Sequence, residues 1–343
     1  MAVEERPLDE VAAWLRQHAE AALEPDLPII DCHHHFWIDA RGRYLFDELA
    51  ADLHAGHNIL STVYVQTGQT MYRRDGPAEL RSIGEVEFAN GMAAIGENGL
   101  LGKTRFCAGI VGFADLRLGD GIEPVLDELV AAGNGRLKGI RHNMVWDPVN
   151  EGHHTSQIRH LALDASFRKG LSHLSQKKLS FDAWIFYPQL DELIDLVRAF
   201  PDTAMILNHV GGILGVGPHA GRRTEIFDVW RTRMRELSQF QNLSVKIGGF
   251  GMPRCGWNFH LRDKPASSVE LAAAWKPYVE TCIDLFGPGR CMMESNFPVD
   301  MCTAGYGVIW NAYKRITASM NRDEKDQLYR GTASRVYRLA LEA

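Results

Sequence analysis

Several patterns are missing from this chain of 343 residues, and each absence excludes a class of protein. Six cysteines are scattered without a Cys-x-x-Cys pair, so neither a zinc ribbon nor a disulfide framework is predicted. No run of 18 apolar residues predicts a membrane-spanning helix, and the first residues lack the basic-then-apolar order of a signal peptide. The net charge of −6 gives no basic surface for nucleic acid or acidic membranes. We therefore expect a cytoplasmic globular protein whose partner is a small molecule.

Short apolar runs rich in β-branched residues alternate with helical patterns along the chain. Eight strands are predicted, over residues 28–33, 59–66, 106–112, 136–141, 179–184, 204–209, 243–248 and 290–295. The helical patterns cover residues 83–97, 122–132, 164–176, 189–199, 223–239, 268–286, 304–319 and 322–340. Strict alternation predicts a parallel sheet, and eight repeats favour a closed (β/α)₈ barrel of the TIM type. The alternative, an open doubly wound sheet, lacks the Gly-x-Gly-x-x-Gly motif after the first strand.

The chain before the first strand has a helical pattern of its own. Val11, Leu15, Ala19 and Leu23 recur at helical spacing, and Glu24-Pro25 ends the pattern. The sequence thus predicts an N-terminal helical extension over 1–26, followed by one α/β barrel domain over 27–343.

Histidines mark the ends of two predicted strands. Side chains alternate along a strand, so His33 and His35 share one face while His34 takes the other. Two imidazoles two residues apart can converge on a metal ion or a reacting carbonyl; the alternative is a merely polar strand end. His209 leaves the sixth strand into a glycine turn, where it suits a ligand or an acid–base group, or else caps the strand. Glu294 and Asn296 share one face at the end of the eighth strand, and we take both as catalytic candidates.

The chain resembles the amidohydrolase superfamily, in the amidohydrolase-2 branch that includes sugar-lactone and pyrone-dicarboxylate lactonases. The resemblance rests on residues 29–37, 139–142, 208–211, 294–300 and 331–333. It implies a distorted (β/α)₈ barrel whose His33, His35 and His209 line the catalytic centre.

The chain also departs from the superfamily's fuller pattern. Two-metal members have a lysine on strand four and a histidine ending strand five, but strand five here lacks a histidine. Lys138 and Arg141 fall on opposite faces of strand four, so a two-metal site is not expected. The strand-eight aspartate that activates water aligns with Asn296, which is not a base. The base therefore stays open among four residues: Glu294, Asp300, Asp182 and His209.

Metal dependence stays open at the level of sequence. Three imidazoles, those of His33, His35 and His209, suit one divalent ion such as Zn²⁺ or Mn²⁺, because a catalytic zinc commonly has three protein ligands. The lactonase branch, however, resembles enzymes that work without a metal.

Further polar and aromatic residues near the predicted strand ends are candidates for substrate binding. The cations suit a carboxylate or polyhydroxylated substrate, since arginine can grip a carboxylate in two places. The aromatic residues after strand seven could cover a small ring of the substrate, or could pack on the rest of the protein. The basic pair at the start of a predicted helix could likewise be exposed to solvent without binding a ligand. The candidates are Gln66, Arg141, His142, Asp182, Arg222, Lys246, Trp257, His260 and Asp300.

The resemblance and the histidine pattern together predict a hydrolase that opens a lactone of a sugar acid or a carboxylated ring. One alternative is a metal-dependent decarboxylase of an aromatic or dienoic acid, against which Asn296 counts. A second alternative is a non-catalytic barrel that binds a sugar acid. Barrels of this type often pair, which makes a homodimer one candidate assembly, and the oligomeric state stays open at the level of sequence.

Overall fold

The computed structural model describes residues 6–68, 71–100, 102–147 and 158–340, and eight parallel strands form its central sheet in chain order. Two further short strands, β2 (Trp37–Asp39) and β3 (Gly42–Tyr44), pair as a hairpin directly after the first barrel strand. The barrel strands are β1 (Pro28–His34), β4 (Asn58–Val65), β5 (Arg105–Gly112), β6 (Leu137–Asn143), β7 (Ser180–Trp184), β8 (Met205–Leu207), β9 (Leu243–Ile247) and β10 (Cys291–Met293). All eight predicted strands are confirmed.

Helices cover the outside of the barrel, and the strands are consequently buried on both faces, as β7 is along its whole length. The helices are α1 (Leu8–Leu15), α2 (Phe46–Leu53), α3 (Ile83–Gly96), α4 (Glu123–Ala132), α5 (Ala165–Leu171), α6 (Leu190–Ala199), α7 (His209–Gly212), α8 (Arg223–Leu237), α9 (Ser268–Phe286), α10 (Tyr306–Ile316), α11 (Arg322–Asp326) and α12 (Thr332–Val336). This arrangement is the predicted (β/α)₈ barrel. None of the helices in the described ranges is long and apolar enough to cross a membrane.

The barrel closes between its first and last strands through a short seam. The backbone N–H of His35 donates to the Phe297 carbonyl at 2.8 Å, and that of Asn296 donates to the His33 carbonyl at 2.9 Å. The buried Asp31 carboxylate adds side-chain links, because it accepts hydrogen bonds from the Ser295 hydroxyl at 2.6 Å and the Tyr306 hydroxyl at 3.0 Å. The hydrogen bonding between the first and last strands is irregular, in agreement with the distorted barrel that the family resemblance implied.

The N-terminal extension is less helical than predicted. In the described part of it, the helix ends at Leu15 instead of continuing to residue 26. Side chains of α10 bind the backbone that follows: Asn311 accepts from the Leu23 N–H at 2.8 Å, and Lys314 donates to the Leu23 carbonyl at 2.7 Å. Backbone groups bound by these side chains are unavailable for helical bonds.

Other predicted boundaries shift because of local packing. The predicted helix over 322–340 is divided into α11, a π-helical turn at Gln327–Gly331, and α12. The sixth strand ends at Leu207, two residues before the predicted end, since His209 and Val210 adopt positive φ angles that a strand does not allow. Helix α5 ends at Leu171, earlier than the predicted residue 176.

Candidate active site

The end of β1 carries two of the predicted catalytic histidines into the barrel. Nε2 of His33 lies 3.1 Å from Nε2 of His35, and both rings are buried. Nδ1 of His35 lies 2.7 Å from the Val65 carbonyl, so this nitrogen carries the proton and Nε2 is an acceptor. His34 lies on the opposite face, against Phe36 and Tyr64. Alternation along the strand thus produces the expected convergence.

His209 reaches the same place from the turn after β8. Its φ is +52°, and the next residue also has a positive φ, which turns the chain sharply and aims the ring inward. The ring of Trp184 packs edge-on against it at a centroid distance of 4.7 Å. Gly249 is needed opposite, because a Cβ there would lie 2.6 Å from the His209 ring. The His209 and His33 ring centroids are 4.5 Å apart.

Glu294 joins the two histidines from the end of β10. Its Oε1 lies 2.6 Å from Nδ1 of His209, and its Oε2 lies 2.9 Å from Nδ1 of His33 without an aligned hydrogen bond. Burial raises the pKa of Glu294 to about 8. Burial, followed by nearby cations, lowers the pKa of both histidines well below the ordinary value, so the imidazoles are neutral at neutral pH.

Two cations, Lys246 and Arg141, lie next to the His33 imidazole. Lys246 is fully buried, with Nζ 2.9 Å from Asp182 Oδ2 and 3.3 Å from Nδ1 of His33. Nη1 of Arg141 lies 3.3 Å from Nε2 of His33, while Nη2 donates to the Gln66 carbonyl. Burial lowers the pKa of Arg141 from its ordinary value. The guanidinium makes no hydrogen bond to a carboxylate among the described residues, so it is available to oxygen atoms of a ligand.

Asp182 and Lys246 are fully buried next to His33, so they lie inside the barrel and not at its mouth. Besides Lys246, Asp182 Oδ2 accepts from Asn208 Nδ2 at 3.0 Å and from the Tyr337 hydroxyl at 2.9 Å. A buried ion pair with these extra bonds holds the base of the site. Directly after β4, the side-chain Oε1 of Gln66 is buried and without a hydrogen-bond partner in the described ranges.

Asn296 and Asp300 form a pair beside Glu294. Asn296 Nδ2 donates to Asp300 Oδ1 at 2.7 Å, and the Gly251 N–H donates to Asp300 Oδ2 at 2.9 Å. Burial raises the pKa of Asp300 to about 8. Asn296 therefore positions Asp300, and the carboxylate that contacts the histidines is that of Glu294.

The structure leaves four predicted substrate-binding residues outside this cluster. His142 lies on the helix side of β6, where its ring packs between Phe113 and Phe167. Exposed Arg222 pairs with Glu225 at the start of α8. The other two sit in the loop after β9: Trp257 stacks under the Arg223 guanidinium, and the His260 carbonyl accepts from Arg6.

Two residues of the site were missed in the sequence. Trp184, which contacts His209, shares a strand face with Asp182, so alternation along β7 could have indicated it. Arg254 lies in the loop after β9, with its guanidinium 5.5 Å from the Phe186 ring centre, and its charge helps lower the pKa of His209. No pattern in the sequence signals that second position.

Three buried groups, His33, His209 and Glu294, are arranged so that they can hold a metal ion. One ligand atom from each lies within 4.8 Å of the others. Two imidazoles and a carboxylate are a donor set found in catalytic zinc sites, and the unbonded Glu294 Oε2 supplies a lone pair. The group differs from the predicted set, because Glu294 takes the place of His35.

The Amidohydrolase family profile matches residues 30–339, which is most of the chain. The chain belongs to the amidohydrolase family. It is therefore an enzyme of the amidohydrolase superfamily, as the resemblance of its motifs implied.

Two relatives align with nearly the whole of this amidohydrolase. The protein y4mH of Sinorhizobium fredii is 30% identical over 336 residues, covering 92% of this chain and 99% of that protein. An L-fucono-1,5-lactonase of Burkholderia multivorans is 25% identical over 325 residues, covering 90% of this chain and 96% of the lactonase.

A solved amidohydrolase structure from Burkholderia multivorans, with bound HEPES, superimposes with a TM-score of 0.70 at 25% identity. The match covers 91% of this chain and 99% of that one. A second crystal form, with bound zinc, gives a TM-score of 0.69 at the same identity and coverage.

Proposed function

We propose that this amidohydrolase hydrolyses a lactone of a sugar acid or of a carboxylated ring. The carrying observation is the 2.6 Å contact between Nδ1 of His209 and Oε1 of Glu294 in a buried site. In its ionised form, which prevails above a pKa of about 8, Glu294 accepts the Nδ1 proton and leaves Nε2 of the ring as the basic atom. The similarity to an L-fucono-1,5-lactonase supports the choice of a cyclic ester.

In the proposed reaction, Nε2 of His209 takes a proton from a water molecule as that water attacks the lactone carbonyl. Negative charge then develops on the carbonyl oxygen, where the Arg141 guanidinium stabilises it. The ring C–O bond breaks, and His209 returns the proton to the leaving alkoxide, which yields the hydroxy acid. Lys246 and Asp182 hold the ring of His33 during these steps.

A metal ion held by His33, His209 and Glu294 would polarise the carbonyl and lower the pKa of a bound water molecule. The experiment therefore treats metal content as a variable: chelator-treated and zinc-supplied protein are assayed side by side.

The test is a pH-indicator assay of acid release from a panel of lactones that includes L-fucono-1,5-lactone. We expect turnover of polyhydroxylated or carboxylated lactones, and a loss of about 100-fold or more in kcat for His209→Ala and for Glu294→Gln. Asp52→Asn is the control, because it neutralises a carboxylate on α2 that lies outside the histidine cluster.

Two results would contradict the proposal. One is a folded protein that releases no acid from any lactone, with or without zinc. The other is full activity in both variants, which would show that the His209–Glu294 pair is structural. Release of CO₂ from a hydroxybenzoate by the zinc- or manganese-loaded protein would instead support the decarboxylase alternative.

A further inference from the structure

Tyr187, His219 and Asp147 form a hydrogen-bonded chain that is separate from the histidine cluster. The Tyr187 hydroxyl lies 2.9 Å from Nδ1 of His219, and Nε2 of His219 lies 3.0 Å from Asp147 Oδ2. Asp147 follows β6, Tyr187 follows β7, and His219 lies in the loop after β8. Loops after the carboxyl ends of barrel strands surround the active site in this fold. The chain of bonds is therefore at the catalytic end of the barrel.

The hydrogen-bond pattern indicates the tautomer of His219. A carboxylate oxygen accepts, so Nε2 carries a proton, and we assign the lone pair to Nδ1, which faces a hydroxyl donor. The Tyr187 hydroxyl therefore donates to His219. Its oxygen keeps its own lone pairs, and no second hydrogen bond to it is seen within the described ranges. Burial raises the pKa of Tyr187, so the phenol stays protonated.

A second hydrogen-bonded link joins two of these loops next to the Tyr187–His219–Asp147 bonds. The Gln189 side chain accepts from the Trp146 N–H at 2.9 Å and donates to the Met144 carbonyl at 2.9 Å. This neutral amide ties the segment after β6 to the turn after β7 without burying a charge. Asp147 is also buried, with 4% of its surface exposed, and its contact with His219 helps offset the cost of burying a carboxylate. The loops are therefore joined twice, and the link through His219 includes a tyrosine hydroxyl that the neutral amide link does not provide.

Tyr187 is also close in the chain to the catalytic centre. It lies three residues after Trp184, whose ring contacts His209. The loops after β7 and β8 pack directly against each other, because a Cβ on Gly212 would lie 2.7 Å from the Ile185 carbonyl oxygen and 3.0 Å from the Trp184 ring. His209 and Tyr187 therefore lie on two packed loops at the same end of the barrel, which is the placement that a shared ligand requires.

We propose that Tyr187, oriented by His219 and Asp147, accepts a hydrogen bond from a hydroxyl group of the substrate. The acyl end of the molecule lies at the cations and imidazoles, and the polyhydroxylated end lies at Tyr187. This inference deepens the proposed lactonase function, because it selects polyhydroxylated acids over unsubstituted ones of equal length. Tyr187 is a binding residue in this account, and His219 and Asp147 are positioning residues.

The test measures binding by calorimetry, so that it does not depend on turnover. The probes are a panel of six-carbon aldonates, including L-fuconate, and hexanoate as the unhydroxylated control. We expect the wild-type protein to bind at least one aldonate more tightly than hexanoate. Tyr187→Phe should weaken aldonate binding about 3- to 10-fold and leave hexanoate binding within about twofold. Asp147→Asn should show a smaller loss of the same kind.

Tyr329→Phe is the matched control, because it removes a buried tyrosine hydroxyl that is bonded to Thr317, away from the catalytic end. It should leave both affinities unchanged. Equal losses for aldonate and hexanoate in Tyr187→Phe, or no preference for any aldonate in the wild-type protein, would overturn the inference. A protein that binds aldonates through Tyr187 but opens no lactone would instead refute the proposed reaction and leave the binding site standing.

Discussion

Asn296 occupies the strand-eight position where a water-activating aspartate is expected, and its amide is tied to Asp300 instead. Asparagine at position 296 suits its surroundings, because an aspartate there would place a second carboxyl group within hydrogen-bond distance of Asp300. Two carboxylates that close cannot both ionise in a buried site. Burial alone already raises the pKa of Asp300 to about 8. The Asn296 amide donates a hydrogen bond to Asp300 without adding a second ionisable group to the buried site.

This pairing predicts the outcome of restoring the superfamily residue. Asn296→Asp should lower the free energy of unfolding by about 1–3 kcal/mol at pH 8, because the buried carboxyl pair must then hold a proton that the unfolded chain releases. It should not raise activity. The double variant Asn296→Asp with Asp300→Asn exchanges donor and acceptor and should recover most of the stability. Thermal unfolding and kcat of the three variants measure this, and a fully stable, more active single variant would contradict it.

Alternation along β1 was sufficient to predict that His33 and His35 converge, since the period of two is a local property of a strand. The contact of Glu294 with His209 could not be predicted in the same way. It depends on the sharp turn at His209 and on the close approach of Gly248 and Gly249, which are products of tertiary packing.

Helix α1 lies over loops at the catalytic end of the barrel. The Trp14 indole N–H is shared between the carbonyls of Arg262 and Asp263, at 3.1 and 3.0 Å, and the Leu8 N–H donates to the Arg41 carbonyl in the β2–β3 hairpin. The extension therefore connects the loop after the first barrel strand with the loop after the seventh. The sequence predicted a helix here but gave no indication of what it covers, because amphipathic spacing identifies a buried face and not its partner.

The hydrogen bonds of the Trp14 indole can be tested by substitution. Trp14→Phe keeps most of the buried ring but leaves two carbonyls without their donor. We expect a loss of about 0.5–1.5 kcal/mol in unfolding free energy and faster proteolytic cleavage within residues 257–264. Limited proteolysis followed by mass spectrometry locates the cleavage. Unchanged cleavage in this loop, despite a lower melting temperature, would mean that α1 stabilises the molecule without restraining the loop.

For the whole molecule, the buried carboxyl groups set how stability changes with pH. Burial raises the pKa of Asp52 on α2 to about 7, from an ordinary value of 3.8. The folded state thus holds this proton more tightly than the unfolded state does. The stabilisation is complete below about pH 4 and is lost as pH rises to about 7.

Asp52→Asn isolates this contribution, because asparagine can still accept from the Tyr44 hydroxyl, which lies 2.7 Å from Asp52 Oδ2. The stability of the variant relative to wild type should increase between pH 4 and pH 7 and then level off. Chemical denaturation across that range measures the difference. A constant difference would show that Asp52 ionises alike in both states.

The overall architecture was the most predictable level. Eight repeats of strand and helix indicate a barrel, because connection rules leave few ways to arrange strictly alternating elements. The contacts between the loops at the strand ends were less predictable. The hydrogen bonds of Tyr187, His219 and Asp147 join three segments that are separated by dozens of residues, and no local sequence pattern relates these segments. The homodimer stays a prediction.

The seam between β1 and the end of β10 also determines when the site can exist during synthesis. Ser295 bonds to the His33 carbonyl across 262 positions of sequence, and Glu294 meets His33 at the same place. At roughly 5–20 residues per second, a ribosome needs about 15–50 s to make the intervening chain. A nascent chain therefore carries its first histidines long before their carboxylate partner emerges. Every truncated product that stops before strand β10 lacks Glu294, so the proposed reaction requires a chain that has been synthesised almost to its end.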